Sequence, residues 1–218
     1  MRILTAAFLF ATAAVAAVPA AADCKDEVLA ALAKQRKAPA FRMDSAMLSE
    51  QGPMRMVVDY LQPDRMRQVV SLAISPDKST ETILIGSTAW GRDGTGWTEL
   101  SPDITREIIN QREETLGEDA GTIGTVACLG STAIDGRELI AYRIENDAQV
   151  GPVDRSPDAK ANAAKALADE TRPLRMFYVD PASGLPARSV FARANKLDKP
   201  IFKADYSYGS NIKIEPPK

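Results

Sequence analysis

Two hydrophobic periods divide the chain. Over residues 25–36 (KDEVLAALAKQR), Val28, Leu29 and Leu32 recur at helical spacing among alanines, and Pro39 ends the run. The period then drops to two. Phe41, Met43 and Met47 alternate with Arg42 and Asp44, and Met54, Met56, Val58 and Tyr60 alternate with Arg55 and Asp59. Met66, Val70, Leu72 and Ile74 alternate with Arg65, Arg67 and Ser71. Pro63-Asp64 and Ser75-Pro76-Asp77 read as the turns. This is the pattern of antiparallel strands with one wet face.

Ile83 and Ile85 lead on to Trp90, and RDGTG (92–96) makes a glycine-rich hairpin tip with Trp90 and Trp97 on its arms. Ser101-Pro102 opens a second helix, serine as N-cap and proline in the first turn, with Ile104, Ile108 and Leu116 as its stripe. Strands resume at 125–129 and again after Asp135-Gly136, the clearest hairpin signal in the chain. Residues 147–172 break the rhythm: they lack aromatics and suggest a short exposed helix or a lid. Strands return at 174–179, 187–194 and 201–208, and Ile212, Ile214 and two prolines close the chain. The class is α+β: one large antiparallel sheet of roughly nine or ten strands, with helices on its apolar face. No repeat and no linker divides residues 23–218, which read as a single domain.

The first residues carry an address. Arg2 precedes sixteen uncharged residues, 3–18, and Ala20-Ala21-Ala22 offers small residues for cleavage, so 1–22 reads as a signal peptide. The apolar run is shorter than the ~20 residues that span a bilayer, so an integral membrane protein is not expected. Asp23 stands where a lipid-modified Cys24 would need a small neighbour. The expectation is a soluble periplasmic or secreted protein. In an oxidising compartment the two cysteines allow one pairing, Cys24–Cys128. The long loop makes the chain-entropy contribution large, about 4–5 kcal/mol. The alternative is two buried free thiols.

Composition narrows the chemistry. The 218 residues hold 27 Lys+Arg against 29 Asp+Glu, which disfavours a nucleic-acid binder. The absence of His removes the commonest general base and a common metal ligand. The S-x-x-K spacing at Ser75–Lys78 and Ser210–Lys213 lacks its K-T-G partner, and Gly94-Thr95-Gly96 lacks the third glycine of a nucleotide loop. Catalytic residues, metal and cofactor are therefore not expected. Methionine is more informative. Five of seven fall within residues 43–66, and methionine suits surfaces that must accept varied apolar shapes. A uniquely packed core would favour Leu, Ile and Val. Met43, Met54, Met56, Tyr60, Met66 and Trp90 are thus expected to line an apolar cavity between sheet and helices; the alternative is an ordinary core.

The stretches ETILIGSTAWGRDGTGWTEL (81–100), FYVDPASGLPARS (177–189) and DYSYGSNIKIEPP (205–217) complete a familiar layout. Across residues 25–217 the chain resembles the periplasmic lipoprotein-carrier superfamily. That superfamily takes in LolA- and LolB-like proteins, mycobacterial lipid carriers and the sensor domain of a sigma-factor regulator. The resemblance implies an unclosed antiparallel β-barrel, helices plugging its mouth, and an apolar cavity for acyl chains. It implies a non-enzymatic binding protein for an acyl chain, lipid or lipoprotein. The alternative is an envelope module that binds a protein partner or serves the stress response, its core filled by its own side chains.

Overall fold

The computed structural model describes residues 23–50, 52–94, 96–116, 123–145, 173–209 and 211–218. The expected signal peptide and the 147–172 lid lie outside the described residues. Helix α1 (Cys24–Arg36) comes first. It is followed by β1 (Ala40–Ser49), β2 (Gly52–Leu61), β3 (Arg65–Leu72), β4 (Ser75–Ile85), β5 (Thr88–Arg92) and β6 (Trp97–Glu99). Helix α2 (Pro102–Leu116) precedes β7 (Thr125–Ile134), β8 (Arg137–Glu145), β9 (Pro173–Asp180), β10 (Leu185–Arg193) and β11 (Phe202–Tyr208).

All eleven described strands join one antiparallel sheet in the order β6-β5-β4-β3-β2-β1-β11-β10-β9-β8-β7. Sequence order is broken once, where β1 pairs with β11. β6 and β7 are the two edges, so the sheet stays unclosed. Local chemistry sets the turns. Asp135 and Gly136 both take positive φ, 50° and 76°, as a two-residue hairpin requires. The Asp23 side chain accepts from the Lys25 N–H to cap α1, whose first turn carries Asp26 and Glu27 and whose last carries Lys34 and Arg36.

Register divides the sheet into two faces. Phe41, Met43 and Ser45 lie opposite Tyr60, Val58 and Met56, which lie opposite Met66, Gln68 and Val70. On the other face, Arg42 pairs with Asp59 at 2.6 Å and Arg55 with Asp44 at 2.5 Å, and the buried Glu81 receives both Arg67 and Arg92. The helix-bearing face holds two packed clusters. One joins Phe41, Met43, Tyr60, Met66 and Leu84 to Leu116, with Ile108 and Ile109 at its margin. The second joins Val28 and Ala31 of α1 to Tyr142, Ile144, Phe177 and Val179.

The structure corrects several sequence expectations. There are eleven described strands; β6 escapes a periodicity reading because it is three residues long. The turn after β3 falls at Ala73-Ile74, and Ile74 is 74% exposed. Ser75 already pairs with Leu72, and the register shift there puts Pro76–Lys78 outside the ladder. In α2 the buried positions are Thr105, Arg112 and Leu116, whereas Ile104 is exposed.

Candidate functional site

Each helix covers one part of the sheet face and is fastened to it. α1 lies over β7, β9 and β10, and α2 over β4 and β5. A Cys24–Cys128 disulfide ties the first residue of α1 to β7. The Tyr142 hydroxyl donates to Glu27 at 2.5 Å, and Gln35 donates to the Tyr208 hydroxyl at 3.1 Å. Tyr208 in turn donates to the Pro186 carbonyl at 2.9 Å. Burial lifts both phenols above the ordinary tyrosine range, and the Glu27 carboxylate adds to the effect at Tyr142. On α2, the buried Arg112 donates to the Gln62 side chain at 3.0 Å and to the Pro63 carbonyl. Leu100, just before α2, donates its N–H to the Ala89 carbonyl and packs over Gly91, where a Cβ would come within 3.0 Å of its side chain.

Beside these two fastened regions runs a band that is only half buried. One cross-strand row reads Arg175, Phe191, Phe202, Met47, Met54 and Leu72, from β9 to β3. All six are intermediate in exposure. The next row is small at its centre: Ser189, Ala204 and Ser45 are buried to 2% or less. Met56 and Val70 continue it, half buried. The third row brings Tyr206 beside Met43. Burial pushes the Tyr206 phenol up, with the Arg175 charge pulling the other way.

The expected site residues divide among these surroundings. Met43, Tyr60 and Met66 are buried together in the α2-side cluster, where Phe41 stacks on Tyr60 with ring centroids 4.7 Å apart. Burial raises the Tyr60 phenol to about 12. Met56 sits at the margin of that cluster, and Met54 belongs to the half-buried row. Trp90 is not brought to them. It pairs with Ile83 and Glu99, whereas its neighbour Ala89 pairs with Leu84 and packs in the cluster. Trp90 therefore lies on the face opposite the helices. The reason is local: Ile83, Leu84 and Ile85 are apolar at both parities, and the turn at Gly86-Ser87 fixes which of them faces in.

Arg175, Phe191, Phe202 and Tyr206 were not singled out from the sequence. A signal existed for Arg175, which shares strand parity with Phe177 and Val179 and so interrupts an apolar alternation. A groove of about 600 Å³ opens at the ends of β1 and β2. Its lining includes Leu48, Pro53, Met54, Ala73 and Pro200 beside the Arg55–Asp44 pair. Met54 alone of the expected residues reaches it. Among the described residues, no group of three or more Cys, Asp or Glu gathers to hold a metal ion.

The site is thus an unclosed antiparallel sheet with two helices on one face and a half-covered apolar band. Solved structures agree. LprF from Mycobacterium bovis is similar with a TM-score of 0.56 and 13% identity, over 89% of this chain and 96% of its own. The Mycobacterium tuberculosis lipoprotein LppX is similar with a TM-score of 0.55 and 10% identity, over 88% and 98%. These likenesses show the fold, which is the one implied by the sequence resemblance. No protein-family model matches the chain, and no curated protein matches it.

Proposed function

We propose that this is an exported, non-enzymatic binding protein that shelters an acyl chain against the helix-bearing face of its sheet. The observation that carries this reading is the row Phe191–Phe202–Met47–Met54–Leu72, large apolar side chains left half exposed near one end of their strands, beside the packed core. Such side chains gain roughly 25 cal/mol for each Å² of apolar area a ligand covers. Methionines at the row and its margin adapt to a flexible chain. In this reading Met54 and Met56 touch the chain, Met43, Tyr60 and Met66 support them from beneath α2, and Trp90 takes no part. Export is supported by the Cys24–Cys128 bond, which persists in oxidising compartments. No described helix is long and apolar enough to cross a membrane.

The test is binding of a fluorescent long-chain acyl probe to the purified protein. Wild type is expected to bind with at least micromolar affinity. Met56→Trp, which adds volume at the margin of the band, is expected to weaken binding about tenfold or more, while Trp90→Ala leaves it unchanged. Folded protein that binds no probe would overturn the proposal.

A further inference from the structure

Most arginines on this sheet share one face. Arg42, Arg55, Arg67, Arg92, Arg137 and Arg188 all lie on the face opposite the helices, and each pairs with a carboxylate. Arg65 on that face bonds the Ile214 carbonyl, and Arg193, exposed at the end of β10, shares the parity of Phe191 instead. Arg175 lies on the helix-bearing face. It shares strand parity with Phe177, whose ring centroid is 5.8 Å from its guanidinium, and it pairs across the ladder with Phe191. Its Nε donates to the Ser189 hydroxyl at 3.2 Å. No carboxylate among the described residues pairs with it. A guanidinium has five N–H donors, so one bond to a neutral hydroxyl leaves its outer fork unmatched among the described residues. The Phe177 ring face attracts and holds the guanidinium, and its half-exposed outer nitrogens stay open to an anion.

We propose that Arg175 recognises the carboxylate of a fatty acid whose chain lies along Phe191, Phe202 and Met47. This rests on the acyl-binding reading above and adds the headgroup. Charge complementarity carries it: one unpaired planar fork meets one planar monoanion, with the two outer nitrogens free to bond both oxygens. The geometry agrees, because Arg175 heads the half-exposed row, so a carboxylate placed there points its chain across β10, β11 and β1. The Ser189 hydroxyl fixes the guanidinium from the sheet side.

The experiment compares palmitate, hexadecanol and hexadecyl phosphate on wild type, Arg175→Met and Arg175→Lys, with urea unfolding to establish that each variant is folded. Wild type should bind palmitate at least about tenfold more tightly than hexadecanol, the range of a charge-assisted pair. Arg175→Met should lose that preference while keeping its hexadecanol affinity, and Arg175→Lys should keep part of it. Equal wild-type affinity for palmitate and hexadecanol would overturn the role of Arg175 and leave the acyl-binding reading standing. Absence of binding to all three by folded protein would remove that reading itself. Tighter binding of hexadecyl phosphate than palmitate would overturn the assignment of a carboxylate.

Discussion

Asp180 shows how one side chain can close a turn. Its Oδ1 accepts from the Ala182 and Ser183 N–H groups, both at 2.9 Å, and Oδ2 accepts from Arg137 at 3.0 Å. These bonds, with the Ser183 N–H foremost, hold the carboxyl below its ordinary value of 3.8. A depressed folded-state pKa contributes stability that is present above the unfolded value and lost as pH falls through the folded one. Asp180→Asn is therefore expected to cost about 1 kcal/mol at neutral pH, with the gap to wild type closing below about pH 4. Urea titrations across that range read it directly, and a gap independent of pH would contradict the assignment. The D-P-A-S-G run at 180–184 made this turn legible in the sequence. The arginine partner was not legible, because Arg137 is brought alongside only by the pairing of β8 with β9, which are far apart in the chain.

At the scale of elements, α1 was readable from its spacing and from the Pro39 that stops it, yet its apolar stripe is weak and it buries only Val28, Ala31 and Gln35. Its position depends on three fastenings: the disulfide, Tyr142–Glu27 and Gln35–Tyr208. The bond between Cys24 and Cys128 closes a loop 104 residues long in sequence separation. Replacing both cysteines by alanine should lower stability by about 2–4 kcal/mol, mostly through the unfolded chain. The remaining fastenings should keep α1 in place. Hydrogen exchange checks this: amides of residues 28–35 should lose protection in step with global stability. Protection that disappears from α1 alone would mean that the disulfide, not the buried contacts, holds the helix down. Periodicity worked for strands with one clean apolar parity, such as β1 and β2. It failed at β4, where Ile83, Leu84 and Ile85 supply no contrast and the face of Trp90 was misread.

The largest feature of the molecule was also the least visible in the sequence. Residues 41–47 pair with 202–208, and nothing local announces a ladder between segments so distant. Yet that seam joins the two parts of the sheet. Phe41 touches Tyr60 on one side and Tyr208 on the other, with ring centroids 4.7 and 5.8 Å apart. Ala204 and Tyr206 from the C-terminal part complete the cluster that α2 covers, and α1 reaches across the sheet to Tyr208. A fragment of residues 23–116 would keep β1–β6 and α2 but expose the whole β1 edge and the Phe41–Met43 row. Such a fragment should show no cooperative urea transition and no fixed near-ultraviolet dichroism, whereas residues 23–218 should unfold in one step. Mixing it with residues 117–218 should restore both signals, since the missing pairing partner returns. Cooperative unfolding of 23–116 alone would show two independent units and place the half-buried band on a boundary between domains, where it could open by their separation.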